Sequence, residues 1–173
     1  SSSFGYGSAM KENLAGIEDY TRIGSLLQPE QIVKYGELTL RENQIAYAEP
    51  SFFRLFDFEL LKGDKKTCLS MPGQVVITER IASKYFKDED PIGKIFIFTG
   101  AYDKISCEVT GVMKEMPSNS HIHYSFLISY KSLPKYMQEY WYKHEAYTYV
   151  LLDSPERKAE IEREFPVMAE KYK

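Results

Sequence analysis

Two histidines stand two residues apart in "MPSNSHIHYSFLISY", residues 116 to 130. Imidazole is the side chain best suited to hold a transition metal or to move a proton near neutral pH. If the run after the Pro-Ser-Asn-Ser turn is a strand, His121 and His123 face the same way and could share an ion. A zinc site needs at least three protein ligands. Glu108, Glu115 and His144 are available, yet no spacing sets any of them beside the pair. The competing reading is structural: Pro117 restricts the turn, and Asn119 and Ser120 can bond the local backbone. That reading takes precedence, so no metal and no cofactor is expected.

Other chemistry has less support. No Gly-x-Ser-x-Gly elbow is present, and neither Cys68 nor Cys107 has neighbours that would activate a thiol. Those two cysteines leave one disulfide or two free thiols open. "GKIF" and "GDKK" lack the spacing of a phosphate-binding loop. Asp88, Glu89 and Asp90 read as a solvated turn. The chain is therefore expected not to be an enzyme.

Positioning elements follow from periodicity. The 173 residues suit one domain or two small interlocked ones, and 43% hydrophobic with 27% charged residues is ordinary for a globular protein. A net charge of −3 gives no basic excess for nucleic acid. No run approaches the roughly 18 apolar residues of a membrane span. Residues 8–15 read as a helix capped by Ser8, and 17–27 as a strand. Residues 37–49 read as a hairpin turning at "REN". Pro50 opens a short apolar helix. Val75 to Ile77 form a buried strand that Thr78 caps into a helix burying Ile81, Ala82, Tyr85 and Phe86. "DPIGKIFIF" and "KISCEVTGVM" form a hairpin. "IHYSFLISY" and "YTYVLL" are further strands, and Ser154 caps a final helix that Pro166 should kink or shorten. Helices interleaved with mostly antiparallel hairpins give an α+β class.

Aromatic residues make up 14% of the chain, and they crowd into "YKSLPKYMQEYWYKHEAYTY", residues 130 to 149. Tyr136, Met137, Tyr140, Trp141 and Tyr142 are of the types enriched at protein interfaces. They are a candidate contact patch; the alternative is that Trp141 fills a core.

Three phrases, "AEPSFFRLFDFELLKGD", "VVITERIASKYFKDEDPIGKIF" and "CEVTGVMKEMPSNSHIHYSFLIS", together resemble the MacB-like periplasmic core domain of FtsX-like ABC transporter permeases, of the type common in Bacteroidetes. The resemblance runs from about Tyr47 through Leu152. It marks Gly93, Gly111, Val112, Pro117, Asn119, Ser120 and His121 as structural motif residues. It implies a porter-like part from both chain ends (about 1–46 and 131–173) and an inserted, sabre-like mixed α/β part (about 47–130).

Functionally, the resemblance implies a non-catalytic domain on the periplasmic side of the bacterial inner membrane. Such a domain would transmit ATP-driven motion within a permease dimer served by a cytoplasmic ATPase subunit, in efflux or related transport. A periplasmic adaptor or chaperone is the implied partner, and the membrane helices lie outside these residues. A peptide- or lipid-binding module is the alternative, resting on the aromatic cluster.

Overall fold

The computed structural model describes residues 5–25, 30–100, 104–138 and 146–172. Among them, ten strands join in one mixed sheet. In chain order these are β1 (Ile17–Gly24), β2 (Gln31–Tyr35), β3 (Leu38–Glu42), β4 (Ile45–Ala48), β5 (Leu60–Lys62), β6 (Gln74–Thr78), β7 (Ile95–Thr99), β8 (Lys104–Met113), β9 (Phe126–Ser129) and β10 (Ala146–Leu152). Their order across the sheet is β10-β1-β4-β9-β6-β8-β7-β2-β3, with β5 attached to β8. The helices are α1 (Tyr6–Asn13), α2 (Phe52–Leu55), α3 (Glu79–Phe86), α4 (Lys135–Gln138) and α5 (Arg157–Glu170). The α+β class holds.

The sheet is covered on both faces at its centre. On one face α3 lays Ile81, Tyr85 and Phe86 against Phe96, Phe98 and Phe126. Thr78 Oγ1 accepts from Ile81 N at 3.4 Å and starts that helix where the sequence places it, a cap worth about 1 kcal/mol. On the other face Phe52, Phe53, Leu69 and Ile122 pack over Val76 and Leu127. Each fully buried large side chain contributes roughly 1.5–3 kcal/mol of apolar transfer.

Several elements differ from the sequence reading. The strand expected at 121–130 is confined to β9, so His121 and His123 precede it. β9 lies between β4 and β6, and all four of its residues are buried because both of its faces are covered. The hairpin expected at 37–49 is not formed: β3 pairs with β2, and Tyr35 stands opposite Leu38. Gly36, at φ 55°, supplies the positive φ that this tight turn needs. Gln44, at φ 56°, then turns the chain so that β4 pairs with β1 and β9 instead. Ser8 lies inside α1, where its hydroxyl donates to Gly5 O at 3.2 Å and caps nothing. Glu156, not Ser154, is the residue before α5. Pro166 does not shorten α5, which continues to Glu170. Glu162, whose carbonyl loses its partner there, is exposed, so water can satisfy it.

The sheet continues across the boundaries expected near 46/47 and 130/131. β4 spans the first, and β2, from the first segment, pairs with β7 of the middle block. The first and last described helices are brought together by topology. β1 and β10 are antiparallel, with Ile17 opposite Leu152, so the helix before β1 and the helix after β10 start from the same end of the sheet. α1 and α5 share a small core of Ala9, Leu14, Ile17, Ile161 and Met168.

Candidate functional site

The two histidines have different neighbours. His121 Nε2 lies 2.6 Å from the Tyr149 hydroxyl on β10. The Tyr149 ring in turn meets Phe56 edge-on at 4.9 Å. His123 lines a separate cleft with Arg80, Glu115 and Ser125. Among the described residues no group of three or more His, Cys, Asp or Glu side chains converges as a metal site. His144 lies outside the described residues.

The turn before His121 closes on itself. Ser120 N donates to Pro117 O at 2.9 Å, and Ile122 N donates to Ser120 Oγ at 3.0 Å. Asn119 is exposed at its tip, while Ile122 is buried in the core. Of the other motif residues, Val112 is buried on β8. Gly93 takes φ 83°, and its N donates to Val109 O at 2.9 Å. A Cβ on Gly111 would come within 3.1 Å of Val76 Cγ2 and 3.2 Å of Leu60 Cδ1.

Both thiols are free and buried. Burial pushes Cys68 up to about 11 and Cys107 up to about 12. At neutral pH neither is a nucleophile. Asp88, Glu89 and Asp90 form an exposed turn after α3. Glu89 pairs with Lys94 at 2.8 Å and Asp90 with Lys62 at 3.0 Å, and these hydrogen bonds hold both carboxyls below their ordinary range.

The aromatic segment is anchored at its base. Tyr130 OH donates to Gln138 O at 2.6 Å, and Arg22 Nη1 donates to the same oxygen at 3.0 Å. The Arg22 guanidinium also sits 4.4 Å from the centre of the Tyr130 ring. Tyr136 is 73% exposed, whereas Met137 is half-buried against the core. Tyr140, Trp141 and Tyr142 lie outside the described residues.

Arg22 is held by Glu49, which the sequence reading did not single out. Arg22 Nη2 donates to Glu49 Oε1 at 2.6 Å, and Arg22 N donates to Oε2 at 2.9 Å. Burial disfavours the charge on Arg22, but the hydrogen bond and charge of Glu49 outweigh it and raise the guanidinium's pKa. An arginine beside Ile23 in the strand "IEDYTRIG", and an acid just before Pro50, were the signals available. A second buried carboxylate, Glu42, accepts from Lys84 Nζ at 2.5 Å and from Tyr85 OH at 2.8 Å, fastening β3 to α3.

A further organised feature is the pole where the first and last helices meet. Tyr6 and Phe165 pack with ring centroids 5.5 Å apart, and Asn13 Nδ2 donates to the Tyr172 hydroxyl at 3.0 Å. A shallow apolar cleft of about 340 Å³ lies beside them, lined by Met10, Ile161 and Phe165 among others. No described helix is long and apolar enough to cross a membrane.

The fold is thus a mixed sheet with its first and last helices packed together at one end. The profile of the MacB-like periplasmic core domain matches residues 2–166. The chain belongs to that family, the extracytoplasmic domains of MacB- and FtsX-like ABC transporter permeases. Solved structures carry the same fold. A domain of a protein described as a permease from Porphyromonas gingivalis superposes with a TM-score of 0.81 at 22% identity, over 99% of this chain and 78% of that one. The periplasmic region of MacB from Actinobacillus actinomycetemcomitans gives 0.66 at 15% identity, over 95% and 72%. The extracellular domain of the noncanonic ABC-type transporter YknZ from Gram-positive bacteria gives 0.60 at 15% identity, over 88% and 75%. No curated protein matches the chain by sequence.

Proposed function

We propose that this domain is a rigid lever on the periplasmic face of the bacterial inner membrane. It carries ATP-driven motion from the membrane helices of a permease dimer, energised by a cytoplasmic ATPase, to a periplasmic adaptor, chaperone or cargo. The observation that carries this reading is the pairing of α1 with α5 beside the antiparallel β1–β10 pair. A body gripped at one pole converts a small helix shift into a larger displacement of its far end. The continuous sheet supports rigidity, because packed interiors transmit strain with little compression.

A terminal part and an inserted part belong to the same proposal. The shared core of α1, α5 and β1 supports a part built from both chain ends. The pairing of β2 with β7 argues for grouping β2 and β3 with the insertion. Tyr136, Met137, Tyr140, Trp141 and Tyr142 are proposed as the partner-contact segment; the exposure of Tyr136 supports this at one position. Efflux is the proposed form of transport.

The test uses the full-length permease with its ATPase, spin-labelled through Met71→Cys, a position 60% exposed. A flexible stretch of about ten Gly and Ser residues is inserted after Glu170. The lever predicts that ATP changes the distance between labels on the two copies, and that the insertion abolishes the change. A change that persists through the insertion contradicts it.

A further inference from the structure

A second cleft, of about 260 Å³, opens where β6 passes into α3. It is lined by Gln44, Arg80, Glu115, Met116, His123, Tyr124 and Ser125. Its groups are organised from within. Ser125 is 3% exposed, and its hydroxyl donates to Gln44 Oε1 at 2.9 Å while accepting from Arg80 Nη2 at 2.7 Å. The Gln44 backbone, at φ 56°, accepts from Ser125 N at 2.8 Å and Phe126 N at 3.2 Å. On the opposite side Arg80 N donates to Glu115 Oε1 at 3.2 Å. The nearest side-chain approach of that pair, Arg80 Nε to Glu115 Oε2, is 3.7 Å.

Ser125 holds the Arg80 guanidinium and the Arg80 backbone holds Glu115, so the two charges stand side by side as an ion pair that is not closed into a tight fork. A guanidinium offers five N–H donors, and only one is engaged by Ser125. The Glu115 oxygen not bonded to Arg80 N faces Arg80 Nε only at 3.7 Å, beyond hydrogen-bond distance, so it can still accept a hydrogen bond. Arg80 and Glu115 cancel in charge, so the cleft does not attract a bare anion such as phosphate over a neutral ligand. Its adjacent opposite poles, 3.7 Å apart at their nearest and both partly exposed, can face a molecule with a carboxylate and an ammonium a few ångströms apart.

We infer that this cleft binds the zwitterionic group of a free amino acid or a very short peptide, the carboxylate on Arg80 and His123 and the ammonium on Glu115. The volume suits a ligand of that size, below the roughly 300 Å³ where drug-sized pockets begin. The inference does not rest on the lever reading.

The test titrates the isotopically labelled domain by NMR with the dipeptide Ala-Ala, its N-acetyl form, its C-terminal amide and inorganic phosphate. Expected are saturable shifts at Arg80, His123 and Ser125 with Ala-Ala, and at least about tenfold weaker binding for each blocked form, since charged hydrogen bonds are the strong ones. Glu115→Gln, which keeps an acceptor for Arg80 N, and His123→Ala, at an exposed site, should each weaken Ala-Ala binding while the remaining spectrum stays folded. Equal binding of all four probes, binding of phosphate alone, shifts elsewhere, or no saturable shift would overturn the assignment.

Discussion

Arg22 and Glu49 are joined twice: the guanidinium meets one carboxylate oxygen at 2.6 Å, and the Arg22 backbone N–H meets the other at 2.9 Å. The pair ties β1, at the chain-end pole, to the end of β4 and, through Gln138 O, to the base of the aromatic segment. Arg22 is 7% exposed and Glu49 9%. Removing one partner leaves the other charge buried, at about 3–5 kcal/mol.

Glu49→Ala should therefore lower the melting temperature on the order of 10 °C. Glu49→Gln, which keeps an acceptor for the backbone N–H, should cost less. Calorimetry of the isolated domain measures both. Equal and small losses would mean that the pair is already solvated and ties nothing.

Gly93 and Gly111 are both motif residues, but they are glycine for different reasons. Gly93 needs its φ of 83° and has open space around its Cα; Gly111 lies within about a methyl contact of Val76 and Leu60. Gly93→Asn should be tolerated better than Gly93→Ala, because Asn adopts positive φ more readily. At 111 the order reverses: Ala costs about 1–3 kcal/mol by overpacking, and Asn more. Denaturant unfolding of the four variants reads the two orders, and the same order at both positions would refute the distinction.

Cys68 and Cys107, 2% and 0% exposed, should resist an aromatic disulfide reagent at pH 8 in the native domain and release two thiols on denaturation. Fast native labelling, or no thiol after unfolding, would contradict the burial or the free state. Protection also leaves introduced surface cysteines as the labelled ones.

The alkaline limb of stability follows from burial. Burial, then the hydrogen bond and charge of Glu42, raises the Tyr85 hydroxyl far above its usual value of 10.0, and burial raises Cys107 to about 12 and Cys68 to about 11. Folded-state values above unfolded ones give stability that is full below the unfolded pKa and lost as pH rises. Unfolding free energy should be level up to pH ~8.5, the free thiol value, and fall beyond it, more steeply past ~10. Tyr85→Phe should make the upper part of that fall shallower. A level profile to pH 11 would contradict the account.

Much of this architecture is legible in the sequence where local signals and burial agree. Thr78 before "ERIASKYF" gives α3 because a side-chain cap and a helical stripe coincide. β7 and β8 follow from alternation in "KIFIF" and "KISCEV". The hairpin at 37–49 misleads because polar "REN" looks like a turn. The true turn, Gly36–Glu37, joins the short strand "QIVKY", whose Gln and Lys dilute the apolar signal. The histidines look like a strand pair because alternation continues upstream of β9, and nothing local announces that the chain bends there. The Arg22–Glu49 and Arg80–Glu115 arrangements join residues 27 and 35 positions apart, and periodicity carries no information about such meetings.

The lever itself is tested most directly inside one domain. Spin labels at Val167→Cys on α5 and Met71→Cys before β6, positions 66% and 60% exposed, report a single internal distance in the full-length permease. The account predicts that ATP leaves this distance unchanged within about 2 Å, while the distance between the Met71 positions of the two copies shifts by more. An internal change as large as the change between copies would contradict it.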